Sequence, residues 1–173
     1  METKNLALVI ILSILGGTSS VLVGHITTLL AIVPIGPFLS GQLLAGFHVV
    51  WLALLAVITQ KKGAATMAGA LKGIVEFLLP NHLGPLVFLL SFSEGLVIDA
   101  VLLPFKKITS AKVYLASGLS AASNIAFIQT FILVNLPLSV YAAMYLIAFF
   151  SGVLFGGYLC TKTANALRNF PLS

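Results

Sequence analysis

The sequence predicts an all-α integral membrane protein, a single domain of residues 1–173 folded as a six-transmembrane-helix bundle. Two observations support this prediction. First, 60% of the residues are hydrophobic and only 8% are charged, whereas soluble domains carry roughly a quarter charged residues, so lipid must surround most of the chain. Second, a helical span needs about 20 residues. Six spans with short loops therefore account for the whole chain and leave no room for a soluble catalytic or nucleotide-binding domain.

Basic clusters and turn signals alternate along the chain and divide it into the six spans. The basic residues outside the apolar segments form four groups: Lys4; Lys61 and Lys62; Lys106, Lys107 and Lys112; Lys162 and Arg168. Between successive groups the apolar chain is interrupted by proline-containing turns at 34–37, 80–85 and 135–137, because proline disrupts a helix interior. The predicted spans are 6–32, 39–59, 63–79, 85–105, 111–135 and 138–160.

The basic residues also predict the direction of the spans. All but one of the nine Lys and Arg residues fall on the same side of this arrangement, the exception being Lys72. Short cytoplasmic loops retain positive charge, so both termini are expected to be cytoplasmic. The clusters then face anionic lipid, and we expect the lipid bilayer, and no nucleic acid, as their partner.

Four ionisable residues fall inside predicted spans. The third span contains Lys72 and Glu76, and the fourth contains Glu94 and Asp99. A charge near the bilayer centre costs about 2.5–3.5 kcal/mol on insertion scales, so each should face protein or a wet cavity. Lys72 and Glu76 share a helix face, whereas Glu94 and Asp99 are ~140° apart around their helix. Either these residues neutralise one another and lock the two spans together, or the three acids, opposed by one lysine, bind a cationic or proton-donating guest.

A second polar set lies in the predicted external half: His48, Trp51, Asn81 and Asn124. Trp51 is deeper than an interfacial aromatic belt, which favours stacking on a planar ligand over anchoring at the interface. His48 and Asn124 are candidates either for ligand contacts or for hydrogen bonds between helices. Together with the three acids, this set forms the candidate substrate-binding site.

Small residues repeat with a spacing of four along the first span, at Ser13 and Gly17 and at Gly16 and Ser20. Such spacing makes a flat strip on which another helix can approach closely. The strip predicts either packing within this chain or docking of a partner subunit.

The motifs of enzymes and metal centres are missing from the sequence. It contains no H-E-x-x-H, no G-x-S-x-G and no P-loop, and therefore no recognisable catalytic or ATP-binding constellation. The three histidines, His25, His48 and His82, lie on different elements, and Cys160 is the single cysteine. We therefore expect no enzyme activity, no cofactor and no metal site, and any active transport would take its energy from another polypeptide.

Four stretches of this sequence carry a family resemblance: Lys61-Lys62-Gly63-Ala64-Ala65, residues 73–79 (Gly-Ile-Val-Glu-Phe-Leu-Leu), Gly84-Pro85 and residues 93–100 (Ser-Glu-Gly-Leu-Val-Ile-Asp-Ala). They resemble the substrate-binding (S) component of an energy-coupling-factor (ECF) vitamin transporter, most closely the YkoE-like branch associated with thiamine and its hydroxymethylpyrimidine moiety. The resemblance implies a vitamin-capture subunit in the plasma membrane of a prokaryote, working with a transmembrane coupling protein and two ABC-type ATPases. It supports Glu76 as a pocket acid, with Glu94 and Asp99 as candidates.

The sequence departs from this family pattern at three positions. Lys62 stands where the turn usually has proline, Glu94 where the family usually has glutamine, and Lys72 adds a charge to the third span. Three alternatives therefore stay open: an S component for another vitamin, for example a cobalamin-related one; a stand-alone secondary transporter using Glu94, Asp99 and Lys72 as an ion relay; or a structural subunit.

Overall fold

A computed structural model describes residues 3–30, 32, 36–81, 83–131 and 135–169, and all regular structure in these ranges is helical, which confirms the all-α prediction there. The helices are α1 (Thr3–Leu30), α2 (Gly36–Leu43), α3 (Ala45–Thr59), α4 (Ala64–Leu78), α5 (Leu86–Leu102), α6 (Ser110–Phe131), α7 (Leu138–Ser151) and α8 (Cys160–Asn169). A π-helical segment, Gly152–Leu159, joins α7 to α8 without a break.

The helices differ from the predicted spans in two places. The predicted span 39–59 is broken at Leu44 into α2 and α3, and the last predicted span continues through the π-helical segment to Asn169. Among the described residues, three helical stretches are long and apolar enough to cross a membrane: Asn5–Leu30, Leu39–Thr59 and Leu138–Leu167. Helices α4 and α5 have 15 and 17 residues, fewer than the ~20 of a typical span. Six membrane crossings therefore stay a prediction.

The outer surface of the bundle is strongly apolar. Large side chains such as Leu22, Leu78 and Phe150 are 64%, 75% and 65% exposed. Soluble monomers rarely expose extended apolar patches, so this surface suits contact with lipid chains.

Helix α3 is the central helix of the core. Its residues Val49, Leu52 and Leu55 are almost completely buried, and helices α1, α4, α5, α6 and α7 all pack on it. A helix that is hydrophobic on every side is surrounded either by other helices or by lipid. The apolar composition of 45–59 is therefore compatible with the central position of α3, where other helices surround it.

The buried face of α4 consists of small residues until it reaches two charged ones. Ala65, Ala68 and Gly69 are buried first, and Lys72 and Glu76 follow on the same face. A Cβ at Gly69 would overlap the Ser91 carbonyl oxygen of α5, so glycine permits the close contact between the two helices. This contact brings the charged residues of α4 against α5.

The junction between α2 and α3 depends on one hydroxyl group from α7. Leu44 interrupts the helix, and the Phe47 amide donates to the Leu44 carbonyl oxygen at 3.0 Å in a tighter turn. The Ser151 hydroxyl accepts from the Gly46 amide at 3.0 Å and donates to the Leu43 carbonyl oxygen at 2.7 Å. One side chain thus pairs two backbone groups at the break and holds α2 at a defined angle to α3.

Replacing Ser151 with alanine should destabilise the fold, because it leaves both of these backbone groups without their partner. Two lost hydrogen bonds correspond to about 1–3 kcal/mol, measured by thermal or denaturant unfolding of the purified protein in detergent.

Ser93→Ala is the matched control, because the Ser93 hydroxyl donates to the Leu90 carbonyl oxygen of its own helix and joins no second helix among the described residues. Equal stability of the two variants would contradict the role assigned to Ser151.

Candidate functional site

A cavity of about 500 Å³ lies inside the bundle, bordered by α1 to α6. Its wall includes the last turns of α1 and the α4–α5 connection, so it lies toward the end of the bundle opposite the Lys61–Lys62 turn. Five of the seven predicted binding residues line it: His48, Glu76, Asn81, Glu94 and Asn124.

The two glutamates of the cavity wall share a buried lysine. Lys72 Nζ lies 2.9 Å from Glu76 Oε1 and 3.2 Å from Glu94 Oε2, and all three side chains are at most 3% exposed. The first pair joins residues one helical turn apart on α4, and the second crosses from α4 to α5. Removing one member of such a buried ion pair costs about 3–5 kcal/mol, because the other charge is left uncompensated.

Ser91 and Asn124 complete the hydrogen bonds of this cluster. The Ser91 hydroxyl accepts from Lys72 Nζ at 2.8 Å and donates to Glu76 Oε2. Asn124 Nδ2 of α6 donates to Glu94 Oε1 at 2.6 Å. We call Lys72, Glu76, Ser91, Glu94 and Asn124 the charged cluster. It connects α4, α5 and α6.

The charged cluster is not self-neutralising. With all three ionisable groups charged, one lysine opposes two glutamates and one negative charge remains. In a low-dielectric interior this charge acts strongly on any guest. Glu76 and Glu94 are among the residues that line the cavity, whereas Lys72 is not, so a guest would meet the two acidic residues before the lysine.

Two buried polar atoms belong to residues that line the cavity and have no partner of their own. Asn124 Oδ1 and Ser20 Oγ are buried and make no hydrogen bond within the part of the chain that the structure describes. Buried polar atoms in proteins are nearly always hydrogen-bonded. Asn124 Oδ1 can only accept, whereas the Ser20 hydroxyl can donate or accept, so both are candidates for a hydrogen bond with a bound molecule or water.

Asn81 shapes the rim of the cavity. Its amide nitrogen donates to the carbonyl oxygens of Glu76 and Leu79, and its amide oxygen accepts from the Leu83 amide. These bonds close the end of α4, which otherwise leaves carbonyl groups unpaired. Asn81 holds the turn between α4 and α5 in place beside the cavity.

Trp51 and Asp99, the other two predicted binding residues, lie outside the cavity wall. Trp51 is half-buried against α1, where a Cβ at Gly16 would meet Trp51 Cβ at 3.1 Å. Asp99 accepts hydrogen bonds from the Thr66 amide and hydroxyl, each at 2.6 Å. It borders a separate pocket of about 190 Å³ beside Lys61 and Lys62. Asp99 thus caps the first turn of α4, where a carboxylate is favourable.

The small residues of α1 pack within this chain. Ser13 donates to the Ala68 carbonyl oxygen at 3.3 Å, and a Cβ at Gly17 would meet Val75 Cγ1 at 2.6 Å. Gly16 adjoins Trp51, and Ser20 lines the cavity. The strip therefore serves the contact of α1 with α3 and α4 in this conformation and is not on the outer surface.

Three residues near the cavity are missing from the binding residues predicted from the sequence. Ser91 belongs to the charged cluster, and Gln42 and His25 line the cavity. Ser91 precedes Glu94 by three residues, a spacing that places both on one helix face and that the sequence could have revealed. Gln42 lines the cavity from the last turn of α2. The helix ends at Leu43, where the sequence has no proline that would predict a break.

Replacing Asp99 with alanine should lower stability by about 0.5–2 kcal/mol, the usual cost of losing a helix cap. Unfolding of the purified variant in detergent measures this loss. Asp99→Asn is the control, since asparagine caps helices about as well as aspartate, and an equal loss in both variants would contradict a capping role.

Comparison with known proteins gives one match in sequence and one in structure. Residues 4–126, more than two thirds of the chain, match the family described as "ABC-type cobalt transport system, permease component". No curated protein matches. The fold is similar to a solved structure described as "Crystal structure of an S-component of ECF transporter", with a TM-score of 0.89 and 24% sequence identity over 96% of this chain and 85% of that chain.

Proposed function

Because the chain belongs to the family of permease components of ABC-type cobalt transport systems, we propose that it is the substrate-capture subunit of an ATP-driven importer of the ECF type. Its fold is similar to that of an S component, and its cavity is partly open, includes acidic and amide residues in its lining and is large enough for a small molecule. In this proposal a transmembrane coupling protein and two ABC-type ATPases supply the energy, because the sequence contains no P-loop of its own.

The proposed topology has six crossings, with both termini in the cytoplasm of a prokaryotic cell. The cavity lies toward the end of the bundle opposite the Lys61–Lys62 turn, and short lysine-bearing loops remain cytoplasmic. The cavity then faces the exterior, where a capture subunit meets its substrate.

The charged cluster is the observation that supports the proposed class of substrate. With its three ionisable groups charged, it leaves one net negative charge beside a cavity whose lining residue Asn124 has an unpartnered acceptor, Oδ1. A cation or a group rich in N–H donors complements this wall. Thiamine, with its positively charged thiazolium ring, and its hydroxymethylpyrimidine precursor, with an aminopyrimidine edge, both meet this requirement.

The size of the cavity favours a small vitamin over a corrinoid. About 500 Å³ lies in the lower half of the ~300–1,000 Å³ range of small-molecule sites. A cobalamin-related ligand is several times larger than thiamine and exceeds this space.

A bare cobalt ion is a poorer match than an organic ligand. Within the described ranges, no group of three or more His, Cys, Asp or Glu side chains is placed to hold a metal ion. Divalent cobalt binds through several nitrogen or oxygen ligands at once, so the organic ligand is the proposed cargo.

A secondary transporter is the competing proposal, with Lys72, Glu94 and Asp99 as an ion relay. Asp99 is held by Thr66, and no hydrogen bond or ion pair joins it to Lys72 or Glu94 among the described residues. The capture function needs no such connection, which favours it.

Calorimetric titration of the purified protein with thiamine, hydroxymethylpyrimidine and Co²⁺ tests the substrate. We expect binding of thiamine or hydroxymethylpyrimidine and none of Co²⁺ at the same concentrations. Glu94→Gln should weaken thiamine binding at least tenfold, about 1.4 kcal/mol, because it removes one carboxylate charge from the wall while preserving its shape.

Asp99→Asn is the matched control, because it removes a charge outside the cavity, and it should leave thiamine affinity unchanged. Equal losses in both variants, or binding of Co²⁺ alone, would refute the proposed site.

Reconstitution into liposomes tests the dependence on partners. Thiamine uptake should require the coupling protein, both ATPases and ATP, because this chain has no energy source of its own. Uptake by this chain alone in ATP-free liposomes would instead establish the secondary transporter.

A further inference from the structure

The position of Lys72 has a consequence for which ligands the cavity accepts. We propose that Lys72 is a specificity-determining residue that sets the charge preference of the cavity without touching the ligand. This inference rests on the proposed capture function and deepens it. Lys72 acts through Glu76 and Glu94 as a resident cation.

Lys72 is screened from a guest by its burial and by its three partners. Its side chain is completely buried and does not border the cavity. An ammonium group has three N–H donors. Nζ lies within 3.2 Å of three acceptor groups, which are Glu76, Glu94 and the Ser91 hydroxyl. Any influence of Lys72 on a ligand is therefore exerted by its charge and through the carboxylates that it contacts, and not by direct contact.

The two carboxylates can serve Lys72 and a guest at the same time. A carboxylate has about four lone-pair sites on its two oxygens. Glu94 accepts from Lys72 on Oε2 and from Asn124 on Oε1, which leaves sites on both oxygens for a donor in the cavity. Glu76 accepts from Ser91 on Oε2, and its Oε1 contacts Lys72 as an ion pair without a hydrogen bond.

The net charge of the charged cluster determines which guest makes the occupied site electrically neutral. Two carboxylates and one ammonium group carry one negative charge, so a monocation makes the occupied site neutral. A dication would leave one positive charge buried, and a neutral ligand would leave the negative charge in place. Uncompensated charge in a low-dielectric interior is costly. Lys72 therefore makes the cavity prefer a monocation.

A purely structural clamp predicts something different. If Lys72 only tied α4 to α5, removing it would lower stability and would weaken all ligands to a similar extent. A charge-setting role predicts that the ratio of affinities for a cationic and a neutral ligand changes. Thiamine and hydroxymethylpyrimidine provide this pair of probes, because they share the pyrimidine ring and differ in the charged thiazolium.

The experiment measures this affinity ratio, thiamine over hydroxymethylpyrimidine, in the full-length protein and three variants by calorimetric titration at one pH. Lys72→Met leaves two negative charges and should raise the ratio at least tenfold. Glu94→Gln leaves none and should lower it at least tenfold. The double variant Lys72→Met/Glu94→Gln restores one negative charge and should return the ratio to within about threefold of the wild-type value.

The double variant also reduces the risk of misfolding, because it removes one of the two carboxylate charges that Lys72→Met leaves without a cation. If the wild type binds both probes and the ratio is the same in all variants, Lys72 has only a structural role and the inference is overturned while the capture function stands. If the wild type binds neither probe, the proposed substrate is refuted, and the inference falls with it.

Discussion

The need to satisfy buried charges between α4 and α5 is the constraint on which the rest of the structure depends. Lys72, Glu76 and Glu94 are all removed from solvent, and each would be costly alone in an apolar interior. Their pairing, completed by Ser91 and Asn124, requires α4, α5 and α6 to meet at one place. The same pairing leaves an excess carboxylate, so the interaction that holds the helices together also gives the cavity its chemical character.

Close helix packing makes this arrangement possible. The small residues on the buried face of α4 bring it against α5, and Asp99 closes the first turn of α4 from the neighbouring helix. Elsewhere a helix is interrupted, because α2 ends at Leu43. The Ser151 hydroxyl donates to the Leu43 carbonyl oxygen at this break. The helix pair α4–α5 thus supplies a rigid charged wall, and the short helix α2 contributes to the opposite side of the cavity.

The family is one of transport permeases, and the cavity supports our proposal for what is transported. The family is named for cobalt, yet the described residues provide no cluster of metal-ligating side chains and do provide a cavity of about 500 Å³. An organic cation is consistent with both the cavity and the charge. Lys72 is a departure from the pattern of the family that the sequence resembles. By pairing with Glu76 and Glu94 behind the cavity, it distinguishes this site from a pocket that contains acidic residues alone.

The sequence by itself determined the helical fold class, the basic clusters and the importance of the charged residues in apolar segments, because an apolar environment makes each charge conspicuous. It also identified five residues that line the cavity. Only the tertiary structure decided how these residues divide: Trp51 packs on α1, Asp99 caps α4, and Ser13 and Gly17 face inward. Periodicity gives the face of a helix on which a side chain lies, but the rotation of each helix against its neighbours decides what that face contacts, and this depends on the packing of the whole bundle.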